Sequence, residues 1–431
     1  MRPEVKALGS TRHDLLVIGG GILGACLAWD AALRGLKVAL VERGELGGAT
    51  SANSLRIIHG GLRYLARGDL PRMRESIRER SVLLRIAPGL VEPLPVAIPS
   101  GIPGYPGRTA LRLGLALNDL LSAGRNRYLH PSRHLPAGRG LSSGELSALC
   151  PGLGPLARAG GALWYDALMS RPAHLTRAFV RSATEHGALV AKNAWVEAFT
   201  STGGRVLSVA IRDCQTGALQ EVAASQFALA AGPWTDETLA RALGSVPAAP
   251  VAPRHALGLN LVLGRRLADT AIGVRSERVV AEDPIGGGYR FLFLVPQEDT
   301  TLVGTWYGMV EEGGLEAALE QGRRDLLADV DRACPGLGLM STDVIGLQWG
   351  RLPLDRPADG RPARLADRPI ISGPAETGLA NLFAAETVKF TTARAVAEAL
   401  LDRIAARLPA RPGACRTAEV PLVGAELGAT T

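Results

Sequence analysis

Residues 13–42 read HDLLVIGGGILGACLAWDAALRGLKVALVE, and this stretch decides the fold. Leu15–Ile18 is a short apolar run with the composition of a buried parallel strand. Gly19, Gly20, Gly21 and Gly24 follow it, then a helical pattern that runs through Leu33 to a stop at Gly35. A second apolar strand, Lys37–Val41, ends on Glu42. Strand, GxGxxG, helix, strand and acid in that order form a dinucleotide fingerprint in its required setting. The glycines let the backbone approach a pyrophosphate, whose charge is met by the helix N-terminus. Glu42, 18 residues beyond Gly24, stands where a carboxylate accepts from a ribose hydroxyl.

Working outward, Gly47–Arg67 has little periodicity and many turn formers, which marks a functional loop because Ile57, Ile58, Leu62 and Leu65 argue against disorder. Pro71–Ala87 predicts a charged amphipathic helix stopped by Pro88, and Thr109–Leu121 a shorter one with leucines at 111, 115, 120 and 121. Arg108, Arg112, Arg125 and Arg127 flank the second helix, so it suits either an anionic membrane surface or packing on its own protein. A helix is expected over Pro172–His186, with strands at Leu189–Phe199, Arg205–Arg212 and Leu219–Ala230, the last running into Gly232-Pro233-Trp234. Between Arg254 and Tyr307, short β-rich runs alternate with turns, the pattern of an antiparallel sheet. A helix at Leu315–Ala333, a strand at Leu379–Ala385 and a helix at Arg394–Arg407 complete the chain, in which no internal repeat is read. These elements predict an α/β architecture: a Rossmann-like nucleotide-binding domain assembled from distant pieces, with an inserted domain of antiparallel β-sheet plus helices. The expected division is 1–90, 150–245 and 340–410 for the first domain, 91–149 and 246–339 for the second, and 411–431 as a tail.

Composition narrows the function. With 431 residues, 47% hydrophobic and 21% charged, the chain buries a sizeable core. No apolar run reaches the roughly 18–20 residues of a membrane span, and Leu15–Trp29 is interrupted by glycines and lacks a small-residue cleavage site. A cytoplasmic protein is expected, with peripheral contact at the inner face of the membrane where the amphipathic helix supplies it. Five scattered cysteines without CxxC spacing predict neither a disulfide framework nor a metal site. Of 48 basic residues only Lys6, Lys37, Lys192 and Lys389 are lysine, and the net charge of +7 is spread rather than gathered into a stripe with aromatics. That excludes the pattern of a nucleic-acid binder.

The run from Asp14 to Arg85 resembles the FAD-dependent glycerol-3-phosphate dehydrogenases, a branch of the D-amino-acid-oxidase-like flavoenzymes. The motifs are the glycine loop ending at Glu42, then Ala49-Thr50-Ser51, His59-Gly60-Gly61-Leu62-Arg63-Tyr64-Leu65 and Leu84-Arg85-Ile86-Ala87-Pro88. Gly232-Pro233-Trp234 and Lys389-Phe390-Thr391-Thr392 match later motifs, and the similarity extends to about Pro421. The resemblance implies an FAD-binding domain of the D-amino-acid-oxidase type, without the helical C-terminal domain of those relatives. It implies that Gly19, Gly21, Gly24, Glu42 and Arg43 hold the ADP half of FAD, with Thr50 and Ser51 along the pyrophosphate. Val196 would contact the adenine, His59-Gly60-Gly61 would lie beside the isoalloxazine, and Gly232, Trp234, Val388 and Thr391 would complete the cofactor shell. Arg63, Tyr64, Asn260 and Arg351 would face the substrate, and Lys389 the reactive edge of the flavin. A cation there suits the negative charge of a reduced flavin.

Three departures from the family pattern fall on the substrate side more than on the FAD side. Thr387-Val388 replace a Gly-Gly pair before the lysine, and Asn260 stands at the position of a histidine. Leu352 occupies the place of a phosphate-binding arginine, with Arg351 one residue away, and His255 lies five residues upstream of Asn260. The expected activity is oxidation of a CH–OH group by hydride transfer to flavin N5, on a non-standard substrate such as a secondary metabolite, with quinone or oxygen as electron acceptor. Alternatives are a CH–NH oxidase acting on an amine or amino acid, a flavin-binding protein without turnover, and an NAD(P)-linked dehydrogenase that uses the glycine loop alone. The oligomeric state is not read from the sequence.

Overall fold

The computed structural model describes residues 1–65, 68–100, 107–244, 255–280, 288–310, 314–355 and 363–427, apart from the side chains of residues 63, 277–280, 288 and 289. Arg67 and Arg254, which bound two segments named above, lie outside these residues. The chain divides into two compact units, Met1–Ala52 with Arg171–Ala252 and Ala366–Thr431, and Asn53–Ser170 with Pro253–Leu365.

The first unit is built on five parallel strands, in the order Leu382–Glu386, Leu219–Leu229, His13–Ile18, Val38–Val41 and Leu189–Ala191, with Ile370–Ser372 antiparallel at one edge. Leu15, Leu16 and Val17 have no exposed surface, as a central strand covered on both faces requires. Helix Ile22–Leu33 is buried at every position from Ile22 to Ala32, which explains why it is apolar except at Asp30, whose carboxylate is paired with Arg34 at 2.7 Å. It packs against helices Pro172–Glu185 and Ala393–Ala405, and Trp29 meets the edge of Phe179 at 5.4 Å. The first half of Leu219–Leu229 leaves the parallel sheet to pair with Arg205–Asp213, which in turn pairs with Ala194–Thr202.

The single strand expected over Leu189–Phe199 is broken at Lys192-Asn193, where Asn193 adopts φ +50°, a left-handed conformation that asparagine tolerates better than most residues. The expected tail packs in this unit: Leu422 and Ala425 are buried, and the Val423 N–H donates to Ser182 Oγ at 2.9 Å.

The second unit is a ten-stranded, mainly antiparallel sheet, with Val344–Asp355, His255–Leu263, Thr301–Gly308, Gly288–Pro296 and Ala271–Val280 adjacent in that order. Glu92–Pro99 joins Ala271–Val280 in parallel and continues to Gly161–Leu168 and Ile57–Ile58. Alternation along His255–Leu263 sorts the two faces: Leu257, Leu259, Leu261 and Leu263 pack with Leu326 and Val330 of helix Gly314–Ala333. Val262 on the opposite face packs with Leu55, Ile57, Leu62 and Leu302.

The units divide at different points from those expected. Residues 53–90, 150–170 and 340–365 belong with the sheet of the second unit, because Ile57-Ile58 pair with Ala167-Leu168 and Val344–Asp355 pairs along the whole of His255–Leu263. A short repeat also emerges. Cys150-Pro151-Gly152-Leu153-Gly154 recurs as Cys334-Pro335-Gly336-Leu337-Gly338, and the two turns pack together, a Cβ built on Gly336 lying 2.8 Å from the Gly152 carbonyl oxygen.

A buried ion pair ties three elements of this unit. Arg80, on helix Leu70–Ile86, donates from NH1 to Asp166 Oδ1 at 2.6 Å and to the Tyr165 carbonyl at 2.9 Å. Trp164 Nε1 donates to Asp166 Oδ2 at 3.0 Å, and the Gly60 N–H reaches Oδ1 at 2.6 Å. Asp166→Asn leaves the Arg80 charge buried without its counter-ion, so a loss of about 3–5 kcal/mol of unfolding free energy is expected, read as a lower urea midpoint; an unchanged midpoint contradicts the pairing. Burial raises the Cys150 thiol, and burial together with Cys150 pushes Cys334 up to about 12. Exposed Cys214 is therefore expected to react promptly with a thiol reagent at pH 8, and Cys150 and Cys334 only after unfolding, as peptide mapping of the labelled chain would read.

Candidate functional site

In the first unit the site starts where strand His13–Ile18 turns into helix Ile22–Leu33. Gly19, with φ +114°, backs onto the Ala230 carbonyl so closely that a Cβ would lie 2.4 Å from its oxygen. A Cβ on Gly24 would stand 1.9 Å from the Gly19 carbonyl oxygen, so the helix seats directly on the loop. Gly21 is the N-cap residue and brings no side chain to the helix end; instead the Ile22 N–H donates to Ser51 Oγ at 3.0 Å. Glu42 closes the loop from the other side. Its carboxylate accepts the Gly20 N–H on Oε2 and the Gly44 N–H on Oε1, both at 2.7 Å. Its own N–H donates to the Ala191 carbonyl at 2.9 Å, and its carbonyl accepts from Ala194 at 2.8 Å.

These residues fit FAD. A helix N-terminus whose cap residue is a glycine, with the Ser51 hydroxyl beside it, offers amide donors and dipole to a diphosphate, and a fixed carboxylate offers remaining lone pairs to a ribose diol.

Other expected cofactor residues surround this loop in sequence or in packing. Thr50 and Ser51 form a short 3₁₀ turn. Arg43 lies over the ring of Trp234 at 5.0 Å, a cation–π pair, while Gly232 takes φ +53° in the turn before it. Val196 is buried on Ala194–Thr202, opposite Ile211.

Lys389 follows strand Leu382–Glu386, on the turn into helix Ala393–Ala405. Thr387, in place of a glycine, clasps that turn: its hydroxyl donates to the Lys389 carbonyl at 3.0 Å and accepts the Lys389 N–H at 3.4 Å. Val388 is half-buried and Thr391 is buried.

In the second unit, the His59-Gly60-Gly61 turn is held at its centre, where the Gly60 N–H donates to the Asp166 carboxylate, and the Arg80 guanidinium lies against Gly60, leaving no room for a Cβ. His59 meets the edge of Tyr64 with ring centroids 6.0 Å apart. Tyr64 is fully buried beside Met73 and Ile77, with Arg72 5.1 Å over its ring. Tyr64, expected to face the substrate, is placed as an interior packing residue of this unit that touches His59. Arg63 lies on the short helix Leu62–Leu65, and its side chain is outside the described residues.

Asn260 is 2% exposed. Its Oδ1 accepts from Thr305 Oγ1 at 2.8 Å, and its Nδ2 donates to the Asn53 carbonyl at 3.2 Å. Asn53 is only two residues after Ser51 in the chain. Arg351 is not brought to Asn260. It pairs with Leu257, whereas Asn260 pairs with Gln348, so Arg351 and Asn260 stand on opposite faces of the sheet. His255 shares the Leu257 face and is likewise turned away, while Leu352 shares the face of Asn260. Sequence reasoning missed Arg80, Asp166 and Gln348. Buried charges on an amphipathic helix and an apolar strand carried a signal for the first two, but only strand register brings Gln348 beside Asn260.

Comparison with known proteins agrees with this construction. Residues 14–403 match the DAO family of FAD dependent oxidoreductases. Glycerol-3-phosphate dehydrogenase 2 of Mycobacterium bovis is 31% identical over 426 residues, covering 98% of this chain and 68% of the relative. Among solved structures, the glycerol-3-phosphate dehydrogenase from Bacillus halodurans complexed with FAD superposes with a TM-score of 0.71 at 23% identity, over 98% of this chain and 70% of that one. Glycine oxidase from Geobacillus kaustophilus shares the fold at a TM-score of 0.55 and 18% identity, over 97% of this chain and all of that one. The chain belongs to the DAO family of FAD-dependent oxidoreductases and, within it, resembles the glycerol-3-phosphate dehydrogenases.

Proposed function

We propose that this FAD-dependent enzyme oxidises a CH–OH group of a small alcohol and passes the electrons on to a quinone or to oxygen. The observation that carries the reading is the likeness, over 98% of the chain, to a relative named for glycerol 3-phosphate. Bound FAD supplies the hydride acceptor. The chain supplies everything else. Gly19, Gly21, Gly24 and Ser51 hold the diphosphate, Glu42 the ribose, and Arg43, Trp234 and Val196 the adenine side. Lys389 contributes a compact cation to the edge where negative charge collects on reduction. His59, Gly60 and Gly61 line the cofactor, and Arg63 polarises the developing alkoxide. Asn260 orients the substrate hydroxyl by hydrogen bonding; its amide takes no proton, so the proton leaves to another base or to water. The CH–NH reading needs an arginine for a substrate carboxylate, for which the sequence offers Arg63 or Arg351; Arg351 lies on the face away from Asn260, so that reading rests on Arg63.

Helix Arg108–Leu121 suits peripheral contact with an anionic membrane. Leu113 and Leu120 are 68% and 70% exposed, Leu117 is 43% exposed, and Arg108, Arg112 and Arg127 are exposed beside them. Among the described residues no helix is long and apolar enough to cross a membrane. Co-sedimentation with anionic vesicles is expected, and its loss when Leu113, Leu117 and Leu120 are replaced together by Asp; equal sedimentation of the two proteins removes membrane contact from the account.

Lys389→Met is expected to retain FAD, by absorbance of the purified protein, and to slow anaerobic flavin reduction by substrate about 100-fold or more. Unchanged reduction takes Lys389 out of the mechanism.

A further inference from the structure

The register of three neighbouring strands in the second unit gathers a group of uncharged polar side chains. Asn260 is paired with Gln348 on one side and with Gly304 on the other, and Gly258 with Gly350 and Tyr307. Thr305 donates to Asn260, completing a row of carboxamide, carboxamide and hydroxyl across Val344–Asp355, His255–Leu263 and Thr301–Gly308. Within this row, Gln348 Oε1 is buried and accepts no hydrogen bond among the described residues. A buried acceptor without a donor is costly and points to a donor that arrives with a ligand.

Leu352 closes one end of the row. A Cβ on Gly258 would lie 3.1 Å from Leu352 Cδ1, 3.6 Å from Thr305 Cγ2 and 3.7 Å from Tyr307 Cε1, so a methyl group, a hydroxyl-bearing side chain and a phenol ring converge there. The ionisable side chains His255 and Arg351 alternate onto the opposite face.

We propose that this face binds an uncharged, hydroxyl-bearing end of the substrate, with Gln348 Oε1 accepting from a substrate hydroxyl. The substrate class is then a neutral polyol or diol rather than a phosphate ester. The inference rests on the reading that Asn260 marks the substrate side in CH–OH oxidation. A hydroxyl both donates and accepts, so it satisfies the carbonyl oxygen of Gln348 and meets an amide such as that of Asn260. A phosphate dianion offers acceptors only, so it cannot satisfy Gln348 Oε1, and it calls for charged donors where Leu352 stands.

The test measures binding and reduction separately. Glycerol and glycerol 3-phosphate are titrated into the FAD-loaded protein by tryptophan fluorescence, and each is then mixed with it anaerobically while flavin bleaching is followed. The wild type is expected to half-saturate with glycerol at a concentration at least tenfold below that for glycerol 3-phosphate. Gln348→Met, close in size and without the acceptor, is expected to raise the glycerol value about tenfold while FAD content, read by absorbance, stays unchanged. Leu352→Arg is expected to shift preference toward glycerol 3-phosphate. Tighter binding of glycerol 3-phosphate by the wild type, or no change in Gln348→Met, overturns the proposal. Preferential glycerol binding without bleaching upholds the neutral face and overturns alcohol oxidation instead.

Discussion

The carboxylate of Glu42, shared between the Gly20 and Gly44 amides, is the contact on which the nucleotide unit turns. It joins the glycine loop after the first strand to the loop after the second. The Glu42 backbone meanwhile pairs with Ala191 and Ala194, tying the same point to the edge of the sheet. Helix Ile22–Leu33 is buried throughout, so the loop at its N-terminus cannot shift without moving three packed helices. Rigidity of this kind is what a diphosphate site needs: amide donors are held in place before the ligand arrives, and no ordering cost is incurred on binding.

The second unit is governed by a different constraint, the two-residue period of its strands. One face of His255–Leu263 is a leucine row sealed by helix Gly314–Ala333. The other carries Gly258 and Asn260, small and neutral residues that leave the surface to hydrogen-bonding chemistry. Because a one-residue step changes face, Arg351 and Leu352 are neighbours in the chain and strangers in space. The His59-Gly60-Gly61 turn gains its position from a separate device, the buried Asp166–Arg80 pair, whose oxygens are filled by an amide, a guanidinium and an indole.

Much of this was legible in the chain. The first strand, glycine loop, helix and acidic strand end are local, and each residue's role follows from geometry within 30 residues. The antiparallel second unit was visible as alternation, and the family was visible in motifs. What stayed hidden depends on partners distant in sequence. The unit boundary at Ala52 is set by pairing of Ile57-Ile58 with a strand a hundred residues away, while the motif itself runs unbroken through it. The faces of Arg351 and His255 follow from register. The twin Cys-Pro-Gly-Leu-Gly turns were present as letters, but five residues form no supersecondary period, and their meaning lies in packing against each other. The break at Asn193 needed a left-handed backbone that propensity does not announce.

Glu42 and the glycine loop form the prebuilt FAD site on which the function depends most. Titration of flavin-free protein with FAD, followed by quenching of flavin fluorescence, tests it directly in wild type and Glu42→Ala. One FAD per chain is expected for the wild type, and for the variant at least tenfold weaker binding at a temperature where its FAD-free fold is intact by circular dichroism, alongside a lower melting temperature from the two released amides. Equal affinity in the two proteins, or a wild type that takes up no FAD, would contradict it.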